Sequence, residues 1–392
     1  MVYGLAGEFK KLFGTDAGWF FFAPGRVNII GEHIDYSGGL VLPCAINMGT
    51  YAAIKKSSTD EIVFASKNAD NIVKTSLSRL TPIASDGWAN YPKMVTECLQ
   101  KTGFCLTGFD MYFSGDLPNG AGLSSSASLC AVTAFSLSVL FGLPLTHREL
   151  ASICQKAENL CGVNCGLMDP FAALAGKKNH AVLLNCGTGE HTQVPLNLGD
   201  YRIVIANTNK QRSLQGSEYN KRRTECEAAL HDLKKVCDVN NLCDLSPKEF
   251  LEHRAAVKDE TARKRAEHAV MENERVKSAC EFASKGSWSE FAALMGESHE
   301  SLRDLYDVSC KELDSLVKHA NDFGKMANPL YGARMTGAGF GGCTINIVHS
   351  EDVDAFKKYV GLKYTNDTEL RADFYEAVPE DGARKINFRR AR

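Results

Sequence analysis

The sequence predicts a two-lobed α+β protein with a cleft between the lobes, and three observations carry that prediction. At 392 residues the chain is longer than one hydrophobic core usually supports, so two domains are expected. Short β-branched and aromatic runs dominate from Phe20 to about Val73, whereas the sequence beyond Asp200 turns to charged, helix-periodic stretches. The last part then alternates strand-like and helix-like runs, the pattern of an α+β lobe. Clefts between domains commonly bind small molecules.

Taken in order, "GWFFFAP" reads as a buried strand entering a loop, and "VLPCAINMGTYAAI" and "EIVFAS" as further strands broken by glycine and proline turns. Helical signals start after "LPNGAGLSSSAS", where Leu129 to Leu140 is apolar and small with no breaker. They recur at "LTHRELASICQKAENL", where Thr146 and Glu149 have capping-box spacing. "YRIVIANT" is a strong strand at the expected domain boundary near Asp200. Beyond it, "SLQGSEYNKRRTECEAALHDLKKV" and "ARKRAEHAVMENERVKSACEFA" predict amphipathic surface helices. The run from Lys258 to Lys277, rich in both charge signs, reads as a solvated face without chemistry. A glycine-rich turn "TGAGFGG", a strand "CTINIV", a helix from about Glu351 and a strand "ADFYEAV" complete the chain, which carries no internal repeat.

Composition excludes several classes of function. A formal net charge of -2 offers no broad field for nucleic acid or acidic membranes, and no apolar run approaches the roughly 20 residues that span a bilayer. The start, "MVYGLAGEFKKLFG", lacks the basic, apolar and small-residue order of a signal peptide, so a cytoplasmic location with reduced thiols is expected for the fourteen cysteines. Cys154, Cys161, Cys165 and Cys186 miss the paired spacing of structural zinc sites and read as buried thiols.

Four short segments hold residue types suited to chemistry. "APGRVNIIGEHIDYSGG", Ala23 to Gly39, crowds an arginine, a glutamate, a histidine and an aspartate between two turns. "LPNGAGLSSSAS" sets glycines and hydroxyls immediately before a helix, which makes an anion cradle or an ordinary cap; it is neither a Walker A loop nor GxGxxG. "GLMDPF" places Asp169 after a Cys/Gly-rich turn with Glu158 on the preceding helix, and "RMTGAGFGG" allows close backbone approach to a ligand or a simple hairpin turn.

In this order and at these separations, together with "WANY" at Trp88 to Tyr91 and "SEYNKRR" from Ser217, the segments resemble the galactokinase family of GHMP small-molecule kinases over nearly the whole chain. The resemblance implies a two-lobed GHMP kinase fold: a ribosomal-protein-like α/β lobe over residues 1–200 with the sugar and ATP motifs, a ferredoxin-like α+β lobe over 201–392 with the glycine-rich third motif, and the active site between them. It implies ATP-dependent phosphorylation of the C1 hydroxyl of galactose, the committed step of galactose catabolism, giving α-D-galactose 1-phosphate by direct in-line transfer.

Residue by residue, the resemblance assigns Asp169 as base or orienter of the C1 hydroxyl and Arg26 as the neighbouring stabiliser of charge. Glu32, His33 and Asp35 would grip sugar hydroxyls, with Gly166 and Tyr219 as further sugar contacts. The loop Gly120, Ala121, Gly122, Leu123, Ser124, Ser125 and Ser126 would hold the ATP phosphates, Trp88 and Tyr91 would sit near the adenine, and Ser126 and Glu158 match the family's magnesium ligands. The implied partners are galactose and ATP alone, for a monomer with no nucleic acid or membrane.

The chain also departs from the family. Pro170 stands where glutamine is usual, "AENLCGVNCG" is one residue shorter than its counterparts, and Ile34 and Ser37 replace a common threonine and asparagine. The isoleucine also occurs in N-acetylgalactosamine kinases, which keeps that or another hexose 1-kinase as an alternative, although "NCGLMD" argues for galactose. A non-catalytic galactose sensor is the alternative of another class; the intact "GLSSSAS" speaks against it and the shortened segment for it.

Overall fold

The computed structural model describes residues 2–118, 121–163, 165–210, 215–329 and 332–387. In chain order they form α1 (Val2–Phe13), β1 (Trp19–Asn28), β2 (Leu40–Val41), β3 (Pro43–Lys56), β4 (Glu61–Ser66), β5 (Ala69–Ser76), α2 (Asn90–Lys101), β6 (Phe109–Gly115), α3 (Ser125–Phe141), α4 (His147–Leu160), α5 (Met168–Ala175), β7 (His180–Asn185), β8 (His191–Pro195) and β9 (Tyr201–Asn207). There follow α6 (Gln215–Leu233), α7 (Pro247–His253), α8 (Glu260–Lys285), α9 (Trp288–Asp304), α10 (Lys311–Gly324), β10 (Ala333–Thr336), β11 (Cys343–His349), α11 (Val353–Thr368), β12 (Asp373–Ala377) and β13 (Arg384–Ile386).

The strands make three sheets, of order β13-β1-β3-β6-β4-β5, β10-β11-β9-β12 and β2-β7-β8. β1 is buried along almost its whole length, which suits its aromatic run "WFFF" to a central position between β3 and β13. Its register against β3 shifts between Pro24 and Arg26. The close approach there requires glycine: a Cβ on Gly49 would lie 2.2 Å from the Ala23 carbonyl oxygen. Such a bulge re-aims side chains, and it is where Arg26 turns to the cleft.

α3 is the apolar, small-residue helix expected after the serine run, buried at Ala127, Cys130, Ala131, Ala134 and Leu137. α4 begins with the expected capping box: the Thr146 hydroxyl accepts from the Glu149 amide at 3.3 Å, and the Glu149 carboxylate accepts from the Thr146 amide at 2.8 Å. In the second half, β9 lies centrally in an antiparallel four-stranded sheet, with α10 and α11 packed on one face through Leu316, Phe323, Phe356 and Tyr364. β13 crosses back to the edge of the first sheet, so the last strand among the described residues belongs to the lobe where the chain starts.

The 258–277 charge run is a solvated face only in part: Lys258, Glu260, Lys264 and Lys277 are exposed and Lys264 pairs with Glu260 at i,i+4, but the opposite side of the helix is buried. α8 is buried at Arg265, His268, Glu272 and Asn273 as well as at Ala266, Ala269 and Val276. These buried polar residues find partners inside: loop backbone groups for His268, Glu272 and Asn273, and the Glu225 carboxylate for Arg265. Among the described residues, no helix is long and apolar enough to cross a membrane.

Candidate active site

Arg26 and Asp169, 143 positions apart in sequence, form a bidentate pair: Nε to Oδ1 and Nη2 to Oδ2, both at 2.7 Å. The third guanidinium nitrogen, Nη1, donates to the Gly122 carbonyl at 2.8 Å, tying β1 to the serine loop. Burial works against the Arg26 charge, but the Asp169 and Glu32 carboxylates more than offset it and raise its pKa. Ser124, held with φ +61 just before α3, donates its hydroxyl to Asp169 Oδ2 at 2.5 Å.

Asp169 stands in the first turn of α5, followed by the buried Pro170. Amides of a helix's first turn have no intrahelical acceptor, so the missing N–H of Pro170 costs no helix bond, and its fixed φ suits the helix start. Asp35, in the 3-10 turn Asp35–Ser37, is packed against Gly166: a Cβ on Gly166 would fall 1.8 Å from Asp35 Oδ2. A side chain at 166 would therefore push the Asp35 carboxylate out of this position. Burial, then the Asp169 and Glu32 charges, push Asp35 up to about 7.

Glu32 is buried, and its Oε2 accepts three bonds from the second lobe: Arg334 Nη2 at 3.0 Å, Thr336 Oγ1 at 3.2 Å and the Gly337 amide at 3.0 Å. His33, with φ +62, places Nε2 3.2 Å from the Ala338 carbonyl and Nδ1 2.9 Å from the Tyr36 hydroxyl. Burial lowers its pKa to about 4, so the ring is neutral at pH 7. A carbonyl only accepts, which puts the proton on Nε2 and leaves Nδ1 to accept from Tyr36. The direction then propagates: Tyr306 donates to Tyr36 across 2.7 Å, and the Cys226 thiol donates to Tyr306 across 3.1 Å. Tyr219, on α6, closes the same wall with its ring 5.6 Å from that of His33.

These groups line one cavity of about 440 Å³, which Arg26, Glu32, His33, Asp35, Ser126, Gly166, Asp169 and Tyr219 share with Gly337 and Ala338. Ser126 donates to Glu158 Oε2 at 2.8 Å, while Glu158 Oε1 is buried without a hydrogen-bond partner among the described residues. Burial pushes Glu158 up to about 7. A second cavity, of about 410 Å³, is lined by Ile83, Gly87, Asn90, Tyr91, Leu160 and Cys161 among others. Trp88 is not part of that lining; its Nε1 donates to Asn71 at 2.8 Å and its ring packs edge-on against Phe113. Of the serine loop, Ala121 and Leu123 are buried and Ser125 is exposed, and Gly120 lies outside the described residues.

Ile34 and Ser37, the departures in the first motif, are both buried and absent from the cavity lining. Ile34 packs against Gly39, so that change belongs to the core. Cys154 is buried, Cys161, Cys165 and Cys186 are part-buried, and none is in a disulfide. Sequence reasoning missed Arg334, Thr336, Tyr36 and Tyr306. Arg334 stands at the start of a quoted motif, yet nothing in the string distinguishes it from a surface arginine. Tyr306 carries no local signal at all.

The raised Asp35 pKa has a consequence for stability. The native protein keeps the Asp35 proton up to about pH 7, while the unfolded chain releases it near 3.8, so this group costs stability as pH rises between those values. Asp35→Asn lacks that loss. Its melting temperature is expected to gain on that of wild type as pH rises from about 5 to about 7. Thermal melts of both proteins across that range check this, and a constant gap would refute it.

The fold and this site define a GHMP kinase. The family model described as GHMP kinases N terminal domain matches residues 90–177, and that of the GHMP kinases C terminal matches 277–366. The galactokinase galactose-binding signature matches residues 7–56. Over 387 residues the chain is 48% identical to the galactokinase of Bacillus subtilis, covering 97% of this chain and 98% of that one. Against the galactokinase of Fusobacterium nucleatum it is 47% identical over 392 residues, 98% of this chain and 100% of that one. The crystal structure of Lactococcus lactis galactokinase complexed with galactose superposes with a TM-score of 0.94 at 38% identity, covering 98% of this chain and 100% of that one. The chain belongs to the galactokinase family and is therefore a kinase, with ATP as the co-substrate that the family implies.

Proposed function

We propose that the protein transfers the γ-phosphoryl group of ATP to the C1 hydroxyl of D-galactose, giving α-D-galactose 1-phosphate and ADP. The observation that carries this is the Arg26–Asp169 pair in the wall of a 440 Å³ cavity on which Glu32, His33 and Asp35 converge and into which the serine loop opens. Acidic groups suit a hexose because each carboxylate accepts strong bonds from neighbouring hydroxyls. We assign the two lobes to residues 1–200 and 201–392, with β13 returned to the first.

A carboxylate offers about four lone-pair sites. Arg26 takes one on each Asp169 oxygen and Ser124 a second on Oδ2, so the site that remains is on Oδ1. There the C1 hydroxyl would be held by its proton, oriented or deprotonated as its oxygen attacks phosphorus in line, without a phosphoenzyme. Arg26 stands beside the reacting oxygens and stabilises negative charge that spreads over them. His33 and Tyr36, locked in one hydrogen-bond direction, fix the far wall so that the sugar is bound in one orientation.

The Ser126–Glu158 pair fits a magnesium ion. It offers oxygen donors only, and Glu158 Oε1 has a lone-pair set that no described residue uses. Magnesium held there would neutralise charge on the phosphate oxygens of ATP. The first turn of α3, with Ser125 exposed at its start, would meet the phosphates through backbone amides. The cavity lined by Tyr91 is offered to the adenine.

Purified protein assayed for ADP release on a sugar panel tests the assignment. Turnover is expected on galactose. Robust turnover on N-acetylgalactosamine alone would replace the substrate, and measurable galactose binding without ADP release would make the protein a sensor.

A further inference from the structure

We propose that α8 is a positioning element for sugar recognition: His268, Glu272 and Asn273 hold the backbone of the Gly31–Leu40 loop in the form that presents Glu32 and His33 to the sugar. The proposal rests on the assignment of the 440 Å³ cavity to a hexose.

Three consecutive peptide units of the loop are pinned from α8. Glu272 Oε1 accepts from the Gly31 amide at 3.0 Å and from the Glu32 amide at 3.2 Å, and His268 Nε2 donates to the Glu32 carbonyl at 3.0 Å. At the far end of the loop, Asn273 Oδ1 accepts from the Leu40 amide at 2.8 Å. Buried main-chain groups outside a ladder must find partners, and here they find them on a helix more than 200 positions away in sequence. The helix side chains are themselves held. Ser298 donates to Glu272 Oε1 at 2.6 Å, Arg275 donates to Oε2 at 2.8 Å, and Ser301 lies 2.8 Å from His268 Nδ1.

Two features show why the loop needs such a hold. Gly31 has φ +94 and His33 φ +62, and a left-handed conformation is costly for a histidine. The Glu32 carbonyl bound by His268 belongs to the peptide bond that leads into His33, so fixing that plane fixes the base from which the imidazole projects. The charge states agree with these roles: burial opposes ionisation of Glu272, yet the Arg275 and Arg334 guanidinium groups, joined by His268 once that ring is protonated in acid, hold it down to about 2, while burial lowers His268 to about 4. Glu272 is thus an acceptor, and neutral His268 carries its proton on Nε2 toward the carbonyl. None of these side chains lines the cavity.

The clamp acts on the sugar motif and leaves the serine loop untouched, so its loss separates the two substrates. Glu272→Ala is expected to raise the KM and the dissociation constant for galactose by about tenfold or more, with the KM for ATP within about threefold of wild type. Glu272→Gln keeps an acceptor oxygen for both amides and should recover most of the loss, and Lys277→Met, on the exposed face of the same helix, should match wild type. His268→Phe, which keeps a ring against Tyr306 and removes the donor, is the second variant should Glu272→Ala fail to fold, and it predicts the same split. Equal rises in both KM values, or a lower melting temperature with unchanged sugar affinity in the folded protein, would overturn the proposal. Wild type is first run on the sugar panel, and the variants are read with the sugar that it turns over, so an error in the substrate is not confused with an error in the clamp.

Discussion

Asp169→Ala is expected to lower kcat on galactose by about 10²–10⁴-fold, the range typical for removing a positioned acid–base group. The loss divides into two parts. On the proposed mechanism the C1 hydroxyl would lose the acceptor that aims its oxygen, and Arg26 loses both strong bonds to the carboxylate and is left as a buried cation. Asp169→Asn separates these, because it keeps the shape and one acceptor oxygen while removing the negative charge. Galactose affinity should change far less than kcat in either variant, since the proposed sugar-binding carboxylates Glu32 and Asp35, and the His33 wall, are left in place. Steady-state ADP release measured beside calorimetric galactose binding checks this, and an Asp169→Ala rate within a few-fold of wild type would eliminate both the base and the orienting role.

Arg334→Met should cost about 3–5 kcal/mol of stability, the penalty for leaving one member of a buried ion pair without its partner. Arg334 is fully buried and bridges the lobes: Nη1 donates to the Asn28 carbonyl at 2.8 Å and Nη2 to Glu32 at 3.0 Å. Without it, the Glu32 carboxylate retains, among the described residues, the hydrogen bonds from the Thr336 hydroxyl and the Gly337 amide. The double variant Glu32→Gln/Arg334→Met removes the stranded charge and should be more stable than Arg334→Met alone, though poor at binding sugar. Urea unfolding of the three proteins measures the coupling. An Arg334→Met protein as stable as wild type would show that the pair does not hold the lobes.

The two variants probe the same arrangement from opposite sides. Asp169 joins the serine loop to the first motif through Arg26 and Ser124, while Glu32 joins the first motif to the third through Arg334 and Gly337. The first motif is therefore the common partner of the other two. Its crowding of ionisable groups is balanced by charges and amides brought from elsewhere in the chain.

Much of this was legible in the amino-acid string because it is local. Thr146 and Glu149 announce the start of α4 from three positions apart, since a capping box closes within one helical turn. The aromatic run of β1, the breaker-free course of α3 and the glycines of the third motif are likewise set by neighbours along the chain. The motifs, in their order, also marked the family and the residues around the cavity. What local pattern could not convey is the identity of partners across long separations. Arg26 meets Asp169 over 143 positions and Glu32 meets Arg334 over 302, and nothing near either residue encodes the match. The α8 run shows the limit most sharply. A mixed-charge helical segment has the same sequence whether its polar groups face water or unpaired backbone amides. Only the packed structure, by bringing the Gly31–Leu40 loop over His268, Glu272 and Asn273, decided that these side chains are buried, because the partners they meet in that loop are main-chain groups that carry no sequence signature.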